Sequence, residues 1–249
     1  GEGGGGREGG SEEDDHINAL SMLLRAQALW TSPLARSAQT ALIALQPLMA
    51  SAEEGTAMRP LELKRHARER RELTNLTTSV GNSLGEHIRT RCLQKLRDIK
   101  GETKLDEATL DRLETAPLCM SEVEAQWWST NPESDRDYQA RISELLSQIQ
   151  FASSDSIVLV AHNDLFQELL SRHIHPDARG RLQDTVQQLS SGPVPHCTLL
   201  WCCLDFRRAR PITDLAILND SLHEVAHQRC FRSSLGDFQR DANFVSAAL

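Results

Sequence analysis

The sequence predicts an α/β protein, and two neighbouring stretches carry that prediction. Residues 157–161 (Ile-Val-Leu-Val-Ala) are apolar or small throughout, which is typical of a strand buried on both faces of a parallel sheet. Leu165, Leu169 and Leu170 follow at helical spacing, so this strand runs directly into a helix. Residues 135–150 precede the strand and form the clearest helical pattern of the chain.

The N-terminal part repeats the alternation of helix and strand. Apolar spacing predicts helices over residues 16–28 and 37–45, with a short strand at residues 29–31 between them. Pro33 holds its own φ and pushes Ser32 toward an extended conformation, so the turn after the strand leads straight into the second helix.

The remaining elements follow the same two periodicities. Helices are predicted at residues 87–99, 105–113 and 179–189, and strands at 197–206 and 216–218. Asp164 with Gln167 is a plausible capping box at the start of the helix after residue 161.

Composition indicates how the chain is organised. Residues 1–15 are Gly-rich and then acidic, so we expect a disordered leader. Residues 16–227 are expected to form one domain, and residues 228–249 a poorly ordered C-terminal tail.

Charge and cysteine content exclude several classes of protein. The net charge of −8 disfavours a surface that binds nucleic acid. No apolar run approaches the roughly 18 residues that a membrane span needs. The six cysteines show no CxxC spacing, which disfavours a zinc knuckle or a disulfide scaffold. We therefore expect a reduced, cytoplasmic protein that binds neither nucleic acid nor membrane.

Three side chains suit a site that handles phosphate, which needs fixed cations and a proton donor. His162 lies at the expected carboxyl end of a parallel strand, where open α/β sheets bind ligands. Arg36 lies about one turn past the Ser32-Pro33 turn, and its alternative role is a solvated helix arginine. Glu69 is surrounded by arginines, so its alternative role is an ion-pair partner on a helix surface.

A second motif indicates different chemistry. Residues 223–227 read His-Glu-Val-Ala-His and match HExxH, which on a helix places two zinc-binding imidazoles beside a glutamate base. No further histidine follows among the last 22 residues, so a third ligand has to come from upstream. A zinc metalloprotease is therefore a minor alternative.

Several segments together resemble one family. Residues 32–41 (Ser-Pro-Leu-Ala-Arg-Ser-Ala-Gln-Thr-Ala) resemble the SPLxRxxQTA signature of the histidine phosphatase (phosphoglycerate mutase-like) superfamily. Residues 160–163 (Val-Ala-His-Asn) resemble the strand end that carries the second histidine of that family. The segment before that histidine is similar to Trp127-Trp128, Glu133-Ser134 and Arg141. Residues 68–70 are similar to the segment with its acid. Asn219, Asp220 and His223 resemble its closing N-D-x-x-H stretch, which offers a non-metal explanation for the HExxH match.

The resemblance implies a three-layer α/β/α sandwich and action on small phosphate monoesters, as a phosphatase or a mutase. Arg36 would bind the phosphate, and His162 would stabilise the transferring group with the backbone N–H of Asn163 beside it. Glu69 would donate the proton to the leaving group. No metal or other cofactor is implied.

One departure from the family pattern limits this expectation. The family's nucleophile is a histidine in an Arg-His-Gly motif at the end of the first strand, and Arg-His-Gly occurs nowhere in the 249 residues. We therefore expect the fold without its first strand. Two interpretations stay open: a phosphatase-like protein whose nucleophile is absent from this chain, and a non-catalytic pseudoenzyme that binds a phosphorylated ligand. The substrate and the oligomeric state are not predicted.

Overall fold

A computed structural model describes residue 23 and residues 25–50, 58–72, 84–98, 107–190, 196–218 and 243–248. These residues form a seven-stranded sheet with helices packed against it, which confirms the predicted α/β class. The strands are β1 (Ala28–Thr31), β2 (Leu61–Leu63), β3 (Leu118–Cys119), β4 (Ser156–Val160), β5 (Leu199–Leu204), β6 (Ile212–Ile217) and β7 (Asn243–Ala248).

The sheet is parallel over most of its width. Its strand order is β3-β2-β1-β4-β7-β5-β6, and the first five strands run parallel to one another. Strand β5 is antiparallel to both of its neighbours. The central strands β1 and β4 are buried almost throughout, as their apolar composition predicts.

The helices lie between the strands in the chain. They are α1 (Ala35–Ala44), α2 (Gln46–Ala50), α3 (Glu86–Asp98), α4 (Glu107–Thr115), α5 (Asp135–Gln150), α6 (Asn163–His173), α7 (Pro176–Arg181) and α8 (Gln183–Ser190), with short 3₁₀ turns at Arg65–Ala67 and Ser121–Val123. Helix α5 has the bounds that its apolar stripe predicts. It begins after Ser134, whose hydroxyl accepts the N–H of Asp137 at 3.2 Å.

Helices cover both faces of the sheet because successive strand residues point to opposite sides. On one face Trp30 and Leu159 pack with α5, α6, α7 and α8. On the other face Leu29 and Val158 pack with the helices α1 to α4. Strands β1 and β4 are therefore buried between two apolar layers, and their pairing places their carboxyl ends side by side.

Three predictions of secondary structure need correction. The helix expected over residues 16–28 does not reach Ala28, which begins β1. The helix expected over residues 179–189 is two helices, because α7 ends at the cap residue Leu182 and α8 begins directly after it. The expectation of a poorly ordered tail is wrong for residues 243–248, which form β7 between β4 and β5.

Some predictions lie outside the described residues. They are the leader at residues 1–15, most of the helix over residues 16–28, and the HExxH stretch at residues 223–227. Within the described part of the chain, no helix has the length and apolar character to cross a membrane. The same part contains no cluster of three or more metal-binding side chains.

Candidate functional site

The candidate site lies at the carboxyl edge of the two central parallel strands. Thr31 ends β1 and is paired in register with Val160, which ends β4. The N–H of Ser32 donates to the carbonyl of Val160 at 2.9 Å, so the chain is still held to β4 one residue beyond β1. This pairing brings Ser32 and His162 to the same edge of the sheet, where α1 and α6 begin.

His162 lies at the centre of this edge and is buried. It is the residue before α6, in an extended conformation that aims its ring at the first turn of α1. Its Nε2 atom lies 2.8 Å from the hydroxyl of Ser32 and 3.3 Å from the hydroxyl of Ser37. Its Nδ1 atom lies 3.4 Å from the guanidinium Nη2 of Arg36.

These contacts determine which ring nitrogen carries the proton. A guanidinium only donates hydrogen bonds, so Nδ1 of His162 accepts and Nε2 carries the proton. Nε2–H then donates to the Ser32 hydroxyl oxygen, which also accepts the N–H of Leu34 at 3.3 Å. In this arrangement His162 cannot remove a proton from Ser32, so Ser32 is not an activated nucleophile.

His162 is neutral at physiological pH. Burial in this apolar edge, together with the positive charges of Arg36 and Arg141, lowers its pKa from 6.5 to about 3. The ring is therefore a neutral hydrogen-bonding group. An anion bound next to the ring would raise this pKa.

Arg36 connects His162 with Glu69. It is the second residue of α1, and its side chain is 53% exposed. The guanidinium therefore contacts both the solvent and the buried His162 ring. Its Nη2 atom forms an ion pair with the Glu69 carboxylate and also contacts His162. The structure thus brings together the three side chains that the sequence singled out, although they are separated by 33 and 93 residues in the chain.

The backbone that leads into Glu69 is held by a buried arginine, Arg141. The guanidinium of Arg141, on α5, binds Glu133 with both Nε at 2.8 Å and Nη2 at 2.7 Å. The same guanidinium donates to the backbone carbonyls of His66 at 2.8 Å and Arg68 at 2.9 Å, directly before Glu69. Glu69 does not lie on a helix surface, as its alternative role assumed, but in the extended segment that follows the 3₁₀ turn.

The Glu133–Arg141 pair is the electrostatic centre of this segment. Burial alone would raise the pKa of Glu133, but its hydrogen bond to Arg141 and the charges of Arg141 and Arg68 hold that pKa below its ordinary value. Arg68 also reaches Glu133 at 3.3 Å. Glu133 is therefore the carboxylate that compensates two guanidiniums in the interior.

The start of α6 differs from the predicted capping box. Asp164 lies inside the first turn, and its carboxylate accepts the backbone N–H of Arg70 at 2.6 Å. This contact ties the Glu69 segment to α6 instead of capping the helix, and burial raises the pKa of Asp164. Asn163 is the first residue of α6, so its backbone N–H belongs to the turn whose donors have no partner within the helix.

The charges around His162 favour an anion. The guanidiniums of Arg36 and Arg141 both act on the His162 ring, and their carboxylate partners are Glu69 and Glu133. Arg68 keeps its charge at neutral pH, although burial and the neighbouring Arg141 lower its pKa to about 10. The exposed member of the set is Arg36, at the entrance.

Sequence reasoning missed the roles of Ser32, Ser37 and Asp164. Ser32 offered a signal, because a hydroxyl residue directly after a buried strand lies at the edge where ligands bind. Arg141 was named only within the family resemblance, but it had a signal of its own. It lies among Tyr138, Ile142 and Leu145 on the apolar stripe of α5, where a lone cation needs a buried partner.

Comparisons of this chain with protein families, with curated proteins and with solved structures found no match.

Proposed function

We propose that this chain is a histidine phosphatase-like, phosphoglycerate mutase-like protein that binds phosphate monoesters at the edge formed by Arg36 and His162. The observation that carries the proposal is the position of the Arg36 guanidinium, which contacts both Nδ1 of His162 and the carboxylate of Glu69. A cation, a neutral imidazole and a carboxyl group are thereby within reach of one phosphoryl group. The three-layer sandwich implied by the sequence resemblance is part of this proposal.

Binding would replace the ion pair between Arg36 and Glu69. A phosphate dianion offers the guanidinium two acceptor oxygens in place of one carboxylate, which makes the stronger, bidentate contact. The backbone N–H of Asn163, at the positive end of α6, lies beside His162 and adds a donor. The dianion also favours the charged form of His162, so phosphate binding should raise the pKa of this ring.

Glu69 is the proposed proton donor for the leaving oxygen. Its side chain is partly exposed, whereas the pair Glu133–Arg141 is buried. The backbone contacts of Arg141 and Asp164 on either side of Glu69 hold this segment in place. Positioning of this kind is what a general acid needs, because it must lie within hydrogen-bond reach of the oxygen it protonates.

The nucleophile distinguishes two versions of this function. Hydrolysis through a phosphorylated histidine requires an Arg-His-Gly histidine, which this sequence does not contain. Ser32 is the hydroxyl nearest to His162, but the proton on Nε2 leaves it unactivated. This assignment of the proton favours the second candidate, a pseudoenzyme that binds a phosphorylated ligand without turning it over.

Hydrolysis of p-nitrophenyl phosphate separates the two versions. The assay compares this chain with His162→Ala and Arg36→Ala, and with Arg172→Ala as a control that removes an exposed cation from the far end of α6. Activity that is lost in the first two variants and kept in the control supports an enzyme. No activity in any variant supports the pseudoenzyme. Equal activity in all four would contradict the site.

A further inference from the structure

An arginine-rich turn lies at the edge of the sheet opposite the anion site. Residues 205–211 connect β5 with β6, and Leu204, which ends β5, pairs with Asn243 at the start of β7. Because β7 runs parallel to β4, this turn lies at the amino edge of the parallel strands, whereas His162 follows their carboxyl edge. The length of β4 therefore separates the turn from His162.

The turn holds two of its own arginines in place. The carboxylate of Asp205 accepts hydrogen bonds from Nε and Nη2 of Arg207 at 2.8 and 3.1 Å, and from Nε of Arg208 at 3.2 Å. One carboxylate thus faces two guanidiniums. The side chains stay accessible, since 91% of Arg207 and 47% of Arg208 is exposed.

Helix α7 adds a further arginine to this region. His175, directly before α7, donates its backbone N–H to the carbonyl of Ile212 at 2.7 Å, and its Nε2 lies 3.0 Å from Nη1 of Arg208. Arg181, at the end of α7, is exposed and donates to the carbonyl of Thr213 at 3.0 Å. These contacts join the turn and α7 into one surface. Its exposed cations, which we call the arginine surface, are Arg181, Arg207, Arg208 and Arg210.

The arginine surface keeps an excess of positive charge. Asp205 serves two of its guanidiniums, and the carboxylate of Asp214 lies 3.9 Å from Arg181. Burial and the nearby charge of Arg210 both lower the pKa of His173, at the end of α6. This edge is therefore locally positive in a chain whose net charge is −8.

We propose that the arginine surface binds a short acidic segment of a partner protein. Guanidiniums pair bidentately with carboxylates, as Arg207 already does with Asp205. Because the contacts of the turn hold these side chains in place, binding has few additional rotamers to order. The proposal is independent of the phosphate site at Arg36 and His162.

The overall charge of the chain disfavours a long polyanion as the partner. Exposed charges are screened beyond about 8 Å at physiological ionic strength, so a short acidic segment interacts with the arginine surface and little else. A DNA duplex or an anionic membrane presents negative charge over a much larger area, which the acidic remainder of the chain repels. The charge distribution therefore favours a short segment with several Asp or Glu side chains.

Titration with hexaglutamate tests the arginine surface. The peptide carries a fluorescent label at its N-terminus and an amide at its C-terminus, and its fluorescence anisotropy is measured as the full chain is added. We expect saturable binding at about 50 mM NaCl that weakens as the salt rises to about 300 mM. Hexaglutamine with the same label should not bind.

Charge-reversal variants locate the binding site. Arg210→Glu leaves the contacts of Asp205 in place and should weaken hexaglutamate binding about three- to tenfold, and Arg181→Glu should act in the same direction. Lys95→Glu makes the same change of charge at an exposed position of α3 and should leave the affinity unchanged. Arg36→Ala should also bind hexaglutamate as the wild type does.

Four results would overturn the proposal. The first is absence of hexaglutamate binding by the wild type, and the second is an equal affinity of Arg210→Glu, Arg181→Glu and Lys95→Glu. The third is a loss of binding in Arg36→Ala, which would place the peptide at the phosphate site. The fourth is tighter binding of a short DNA duplex or of phosphatidylserine vesicles than of hexaglutamate, weakened by Arg210→Glu, which would assign the surface to a polyanion.

Discussion

The buried, neutral state of His162 has a measurable consequence for stability. In the unfolded chain this histidine titrates near its ordinary pKa of 6.5, whereas in the native protein its pKa is about 3. Below pH 6.5 the unfolded chain therefore binds a proton that the native site does not accept. Because protons bound only by the unfolded state favour unfolding, His162 destabilises the fold progressively from pH 6.5 down to about pH 3.

The size of the effect follows from the width of that window. Each pH unit between the two pKa values is worth about 1.4 kcal/mol. On moving from pH 7 to pH 5, His162 alone should lower the free energy of unfolding by about 2 kcal/mol. Asp164, whose pKa is raised by burial, acts in the opposite direction.

Urea unfolding of the wild type and His162→Gln, each at pH 7 and pH 5, isolates the contribution of His162 to the free energy of unfolding. Groups common to both proteins, Asp164 among them, cancel in the difference between the two pH effects. The variant should lose about 2 kcal/mol less than the wild type on acidification. An equal loss in both proteins would refute the conclusion that His162 is held neutral by its surroundings.

Three other changes test separate parts of the account. Glu69→Gln should bind inorganic phosphate up to about fivefold more tightly, because it removes a competing partner of Arg36. Calorimetric titration measures this gain, and the control variant Asp155→Asn, at the opposite end of β4, should show no gain. Glu133→Gln leaves the buried Arg141 uncompensated and should cost about 3–5 kcal/mol in urea unfolding, and a loss below 1 kcal/mol would contradict the paired geometry. Ala247→Pro removes a backbone N–H from the middle of the sheet and should lower the unfolding midpoint; an unchanged midpoint would argue against β7.

The elements predicted well from the sequence are those whose signal is local. Strand β4 is a continuous apolar run, and α5 carries an apolar stripe over its whole length. The sequence of each element therefore predicts that it is buried. Strand β7 has no comparable signal, because Asn243–Ala248 contains one β-branched residue, Val245. Its conformation comes from backbone pairing with β4 and β5, which are distant in the sequence.

The start of α7 before residue 179 had a local signal that apolar spacing alone does not reveal. Pro176 stands at the first position of α7, and the side chain of His175 accepts the N–H of Asp177 at 3.3 Å, so that helix begins earlier than its apolar residues indicate.

The site was predictable where residue type and chain position coincide. His162 follows a buried strand and Arg36 follows a proline turn into a helix, so both could be placed at the edge of the sheet. Their partners were not predictable, since the contacts of Arg141 with the carbonyls of His66 and Arg68 depend on how α5 packs against a distant segment. The roles of these residues remain predictions.

Calorimetric titration of this chain with inorganic phosphate tests the anion site most directly. We expect saturable binding by the wild type and by the Arg172→Ala control, and a loss of about tenfold or more in Arg36→Ala, which removes a charge-assisted contact. Absence of binding by the wild type, or equal binding by all three proteins, would contradict a phosphate site at Arg36 and His162.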